Sequence, residues 1–293
     1  MTLLQNLSSY SDSSLSPFSL AFVFVSTFGA LIGSFLNVVI YRVPREESIA
    51  FPNSRCPSCG TAIRFYDNVP VLSFLLLRGR CRACRVPIPR RYPAVEALTA
   101  LLFGLVFLHD GLTLALPFDL VFVAALVALI FIDAEHMILP DVITLPGILF
   151  ALIARALVPN LYGLAFLSDG LLAGWPVWTI SLFGALFGAA IGGGSLWLMG
   201  WFWERLRGVE AMGLGDVKML FMVGAFLGWP LTVLTIFIGV VGGSVIGVGL
   251  MLRRRERDMQ MLLPFGIFLG IGAIVSLIAG QQIVRWYVGH FIF

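Results

Sequence analysis

The sequence predicts an all-α, polytopic membrane protein with about eight transmembrane helices and a small cytoplasmic insert after the first. Three observations carry this. Of 293 residues, 59% are apolar and only 12% charged, against about a quarter charged in ordinary soluble domains. The apolar residues gather in runs long enough for spans of about 20 residues, and the mean hydropathy is +0.97. The charges gather between the runs. Of the 19 basic residues all but one are Arg: ten lie from Arg42 to Arg91, with smaller groups at Arg205 and Arg207 and at Arg253, Arg254, Arg255 and Arg257. This is the pattern of loops on one side of a bilayer; it excludes a soluble globular enzyme, a disordered chain and a nucleic-acid partner.

Residues 1–17 contain Asp12 and no Lys or Arg, so they lack the basic start of a removable signal peptide and read as an external tail. The first span, 18–41, runs into Arg42 and Arg45, which by positive-inside logic lie in the cytoplasm, with the N-terminus outside. Residues 42–92 are the one segment polar enough to stand apart. Spans follow at 93–109, 117–134 and 142–158. The fifth, 172–202, is over-long and carries Gly184, Gly188, Gly192, Gly193 and Gly194, so it is expected to tilt, bend or pack closely against a neighbour. The sixth, 216–228, is separated by the turn at Gly228, Trp229 and Pro230 from a seventh at 231–252. The eighth, 262–283, leads to a C-terminal tail, 284–293. This count puts 42–92, 135–141, 203–215 and 253–261 inside, with all the basic residues except Arg155 and Arg285 inside or at the inner boundary.

The insert holds all four cysteines, as Cys56-Pro-Ser-Cys59 and Cys81-Arg-Ala-Cys84, two C-x2-C pairs 21 residues apart. Two tight turns, each offering two thiolates, suit a tetrahedral zinc ion. A cytoplasmic setting keeps the thiols reduced and favours metal over disulfides. Four thiolates leave no open coordination position, so the ion would be structural and would supply much of the folding free energy of so short a segment. Redox pairs or free thiols are the alternative.

Acids at the edge of a span are costly and point to function by default. Two motifs qualify: Asp133-Ala-Glu135-His136-Met-Ile-Leu-Pro140-Asp141 and Gly213-Leu-Gly215-Asp216-Val-Lys218. Asp141 follows Pro140 and precedes an apolar run, so it reads as a cap for the fourth span. Asp216 reads equally as a cap for the sixth or as a functional acid. Asp133 has no such role, because near a helix C-terminus its charge opposes the dipole. Asp133 and Asp216 are expected at the same inner depth. Two carboxyls in a poorly hydrated site share a proton, so one can activate water while the other polarises a scissile carbonyl, the chemistry of aspartyl proteases. The glycines before Asp216 would let backbone or substrate approach closely. Lys218, two residues on, would not face Asp216 on a regular helix and is expected to reach headgroups or a substrate carboxylate. No Ser-His-Asp set, dinucleotide fingerprint or Walker motif competes.

These motifs resemble those of the bacterial prepilin leader peptidases of type IV pilus and type II secretion systems. The resemblance covers most of residues 29–228: Gly33-Ser-Phe-Leu-Asn37-Val-Val-Ile-Tyr-Arg42-Val-Pro44, the paired C-x2-C with Asn68-Val-Pro70 between them, Leu77-Arg78-Gly79-Arg80-Cys81, Arg91-Tyr92-Pro93-Ala-Val-Glu96 and the two acidic motifs. It implies an inner-membrane aspartyl endopeptidase, its peptidase domain spanning 93–283. Such an enzyme removes short basic leaders from prepilins or pseudopilins at the cytoplasmic face, after a Gly and before a Phe-like residue. Asp133 and Asp216 map onto the catalytic pair, with Gly213, Gly215, Lys218 and Asp141 in support. The family's longer members also methylate the new N-terminal amine with S-adenosyl-L-methionine. Because 42–92 and its cysteines are retained, the resemblance implies that activity here as well, with Gly79 and Arg80 as candidate residues. Two other readings stay open: an intramembrane aspartyl peptidase without methyl transfer, and a non-enzymatic transporter or scaffold with a zinc knuckle.

Overall fold

A computed structural model describes residues 16–51, 54–160, 162–164, 172, 174–208, 213–254 and 264–291. Most of the expected external tail, and Arg255 and Arg257, lie outside these residues. The helices are α1 (Pro17–Arg42), α2 (Leu72–Leu76), α3 (Arg91–Asp110), α4 (Leu116–His136), α5 (Asp141–Leu157), α6 (Val177–Ala189), α7 (Ser195–Arg207), α8 (Leu214–Leu227), α9 (Trp229–Arg254) and α10 (Phe265–Phe291). No strand occurs among the described residues; pairing is confined to single bridges at Arg55 with Ala62 and Arg80 with Pro87.

Among the described residues, six segments are long and apolar enough to cross a membrane: α1, α3, α4, α6 continuing into α7, α9 and α10. The two other expected spans are helical but shorter. At 1.5 Å per residue, α5 with 17 residues and α8 with 14 reach only about 26 and about 21 Å, against a hydrocarbon core of about 30 Å. Protein surrounds α8 in place of lipid, and Val217, Met219, Leu220 and Met222–Leu227 are all buried. At the C-terminus, α10 continues to Phe291, so residues 284–291 are helix where a tail was expected.

The chain forms two compact units, residues 1–128 and 129–293. In the first, α1 opens with Pro17 behind Ser16, whose Oγ accepts from the Ser19 N–H at 3.2 Å. Helix α1 lies along α3 on small residues: a Cβ on Gly33 would come 2.7 Å from Glu96 Cα, and one on Gly29 2.8 Å from the Phe103 side chain. Close backbone approach is how helices gain contact where lipid supplies no hydrophobic drive. Asn37 ties the same pair, its Nδ2 donating to the Tyr92 carbonyl at 3.0 Å.

In the second unit α8 is the core around which α5, α6, α9 and α10 pack. The crossing of α6 with α8 brings backbones together, since a Cβ on Gly188 would meet Gly224 O at 2.3 Å and one on Gly224 would meet Gly188 O at 2.2 Å. The over-long fifth segment is interrupted at Ala190–Gly194 by a π-type turn. There Gly192 and Gly193 seat against Leu220 O and the Phe221 ring, so the expected irregularity falls on the glycine run.

Candidate active site and cysteine centre

Asp133 sits in the last turn of α4 and is only 5% exposed. A charge so placed needs donors, and they come from another helix. Ile267 N–H, in the first turn of α10, donates to Asp133 Oδ2 at 3.1 Å, and Gly266 lies against the same carboxylate. First-turn N–H groups have no partner within their own helix, so Asp133 caps α10 from outside. One turn of chain later, Met137 adopts a left-handed φ of 54° and its N–H closes on Asp133 O at 2.9 Å, ending α4.

Asp216 is the third residue of α8; its N–H donates to Gly213 O at 3.2 Å across the helix start. It is half-buried. Both acids fall in the same unit, and Leu139 lies between them, against Gly215 beside Asp216 and against Gly266 beside Asp133.

The flanking glycines divide into two kinds. Among the described residues, a Cβ on Gly213 would have only Asp216 Oδ2 within reach, at 4.0 Å. A Cβ on Gly215 would press on Leu139 Cβ at 3.0 Å, so Gly215 accommodates the chain's own packing. On the far side of Leu139, a Cβ on Gly266 would fall 3.1 Å from Leu139 Cδ1 and 2.8 Å from Asp133 Oδ2. Gly266 and Ile267 escape a reading of the sequence because a backbone donor leaves no side-chain signature. One hint exists: α10 begins after Pro264, and residues 260–263 are Gln-Met-Leu-Leu, so no local side chain of the usual capping type is at hand.

Asp141 and Lys218 differ from expectation. Asp141 follows the N-cap Pro140 as the first residue of α5, and both its oxygens accept from Lys218 Nζ at 2.7 Å. A carboxylate on the first residue of α5 is a nearer partner for the flexible ammonium than a headgroup, and the pair links the starts of α5 and α8.

The four cysteines are free thiols whose sulfurs all lie within 4.8 Å of one another. Both pairs sit in the same turn. Cys56 N–H donates to Thr61 O and Gly60 N–H to Cys56 O, matched by Cys81 N–H to Val86 O and Arg85 N–H to Cys81 O. The fourth residue after the first cysteine is left-handed in each: Gly60 at φ 68° and Arg85 at φ 60°. Cys56 and Cys84 Sγ are 3.8 Å apart; a tetrahedral ion with metal–sulfur bonds of about 2.3 Å spaces its thiolates by about 3.8 Å. The set therefore fits a metal ion. Hydrogen bonds from the Thr61 hydroxyl and backbone pull the Cys59 thiol down to about 6. Cys84 has a backbone hydrogen bond at Val86 favouring its thiolate, but burial and the other thiols push it up to about 11. Adjacent thiolates repel, and a dication removes that conflict. Arg82, inside the second turn, straps the centre to Asp67 at 2.6–3.1 Å and holds that carboxyl below its ordinary range.

Gly79 and Arg80 lie in the turn entering the second cysteine pair. Gly79 is left-handed at φ 67°, with Phe74 CZ 3.0 Å from where its Cβ would be; its carbonyl accepts from Ile88 N–H at 2.8 Å. Arg80 is exposed. Nearby, Val71 takes φ 59°, ψ −48°, with Leu72 N–H closing on Pro70 O at 2.5 Å, a strained γ-turn. Its N–H donates to Glu96 Oε2 of α3 at 2.7 Å.

Comparison with known proteins is consistent along the chain. The bacterial peptidase A24 N-terminal domain matches residues 27–109, and the type IV leader peptidase family matches residues 120–248. A protein of Pseudomonas aeruginosa named prepilin leader peptidase/N-methyltransferase is 39% identical, the match covering 92% of this chain and 94% of that one. Proteins of the same name from Aeromonas hydrophila and Dichelobacter nodosus are 38% and 37% identical, each over 93% of this chain and 96% of its own length. No solved structure matches.

Proposed function

The chain belongs to the type IV leader peptidase family, and from that premise we propose that it is a multi-pass inner-membrane aspartyl endopeptidase that removes the basic leaders of prepilins or pseudopilins and then methylates the new N-terminus. The observation that carries the peptidase reading is the acid pair: Asp133, 5% exposed at the end of an apolar helix, and Asp216 at the start of another in the same unit, with Leu139 packed between their neighbouring glycines. One ionised carboxylate takes a proton from water, whose oxygen bonds to the scissile carbonyl carbon while the other carboxyl gives its proton to the carbonyl oxygen. Collapse returns that proton, breaks the C–N bond and passes the first proton to the leaving amine. Gly213, with no side chain, admits the substrate backbone beside Asp216. Lys218 and Asp141 hold the starts of α5 and α8 in register around the pair.

The acids and the Arg-rich 42–92 segment face the cytoplasm in this reading, where the leader resides, and the lipid bilayer is the setting for the substrate's apolar helix. Zinc is the ion proposed for Cys56, Cys59, Cys81 and Cys84, with a structural role. S-adenosylmethionine supplies the methyl group when bound; the exposed guanidinium of Arg80 has the charge to meet its carboxylate, and Gly79 shapes the turn that presents it.

The test is to incubate the purified protein in detergent with a substrate carrying a basic leader, Gly, Phe and an apolar helix, with and without S-adenosylmethionine. Products are read by mass spectrometry. Leader loss is expected from the wild type and not from folded Asp133→Ala or Asp216→Ala, with one added methyl group only when the donor is present. Leader loss without methylation would remove the second activity. An intact substrate with folded wild-type protein would remove the first.

A further inference from the structure

The reading of Asp133 and Asp216 as the catalytic pair leaves the position of their shared proton open, and this inference rests on that reading. We propose that the first turn of α10 holds Asp133 as the ionised member, making it the base that activates water, while Asp216 carries the shared proton and acts as the acid. Gly266 and Ile267 are then positioning residues for the reaction.

The argument is an asymmetry of donors. Asp133 Oδ2 accepts from Ile267 N–H at 3.1 Å, with the Gly266 amide beside it in the same turn. These amides belong to the start of a helix of 27 residues, where the peptide dipoles place partial positive charge. Asp216 has no hydrogen bond to its carboxylate among the described residues. Bonds donated to a carboxylate favour its charged form, so with one proton between two acids, the proton settles on the acid without donors. The packing enforces the arrangement. Gly266 has an ordinary helical φ, so its lack of a side chain is a matter of space: a Cβ there would lie 2.8 Å from Asp133 Oδ2 and 3.2 Å from Cγ. Only glycine lets the α10 amides come this close. Among the described residues, Phe265 and Ile267 of this turn, Leu139 of the α4–α5 link and Gly215 of α8 bring no charge; the titratable groups nearest Asp133 are Asp216 and, one turn on in α4, His136.

The pH profile of kcat/KM for leader cleavage separates the assignments. The active pair holds one proton; its acid limb is the protonation of the ionised acid, and its alkaline limb is loss of the shared proton. Two variants of the full-length protein weaken the donors: Gly266→Ala, and an ester in place of the Ile267 amide (the α-hydroxy analogue of isoleucine), which deletes only the N–H. The expected result is an acid limb moved upward by about one pH unit, a tenfold loss on the acid side, with the alkaline limb unmoved. If the alkaline limb moves instead, Asp133 carries the proton and the roles are reversed. If neither limb moves, α10 does not hold the charge. Should Gly266→Ala fail to fold, the ester variant decides alone. Asp133→Asn and Asp216→Asn run alongside: wild-type turnover from either would remove the acid-pair reading itself, whatever the profiles of the other two.

Discussion

At the residue scale, the two cysteine turns are a built-in comparison. They share their hydrogen bonds, yet one places Gly60 and the other Arg85 in the left-handed position. A side chain costs about 1–2 kcal/mol there, and glycine returns about 0.5–1 kcal/mol of that in backbone entropy. Gly60→Ala should therefore weaken metal retention against a chelator by up to about tenfold, and Arg85→Gly should leave it equal or improve it. Metal content measured across a chelator titration checks both; a Gly60→Ala protein as retentive as wild type would mean the turn is not under this constraint. Val71 is more strained still, because a β-branched residue at φ 59° is held there by a bond from its N–H to a carboxylate. Glu96→Ala removes a charged acceptor worth about 1.5–3 kcal/mol, whereas Glu96→Gln keeps an acceptor. Thermal unfolding in detergent should rank the proteins wild type, then Glu96→Gln, then Glu96→Ala.

At the element scale, the contact of α6 with α8 is made by backbone, so nothing can give way to a new methyl group. A Cβ on Gly188 or Gly224 would sit 2.2–2.3 Å from a carbonyl oxygen of the other helix. Alanine at either is expected to cost about 3 kcal/mol or more, at the upper end of overpacking. Gly194 has nothing within 4 Å among the described residues, and alanine there should be neutral or slightly stabilising on helix propensity. Melting temperatures of Gly188→Ala and Gly194→Ala in one detergent test the contrast, and equal values would contradict it. The glycine run was legible as a place where the fifth segment bends or packs closely, because glycines in an apolar run have few other uses. Which glycines press on a neighbour and which face open space depends on rotation about the helix axis, and composition does not carry that. The shortness of α8 was hidden for a related reason: a helix apolar on every side looks the same whether lipid or protein surrounds it.

At the scale of the whole molecule, the positions of Asp133, Asp216 and the cysteine pairs were legible because each violates an expectation of its surroundings: charge against apolar sequence, and paired thiols at metal spacing. The groups that serve them were not, since Ile267 acts through its backbone, Gly266 through the absence of a side chain, and the Lys218–Asp141 pair spans 77 residues of sequence. The division of the chain then has a consequence. All four cysteines fall within residues 1–128, and both acids with Gly266 and Ile267 fall within 129–293. The cysteine segment has two short 3-10 turns, one five-residue helix and isolated bridges for secondary structure, so its order should depend on the metal. The acid site is held by helix packing within its own unit. Chelation should therefore expose residues 54–88 to proteolysis and abolish methyl transfer, while leader cleavage falls by less than tenfold. Limited proteolysis and the two activities, followed in one chelator series with zinc added back at the end, measure this. Loss of cleavage in step with methylation, restored by zinc, would show instead that the metal-dependent segment is needed to bring the leader to Asp133 and Asp216.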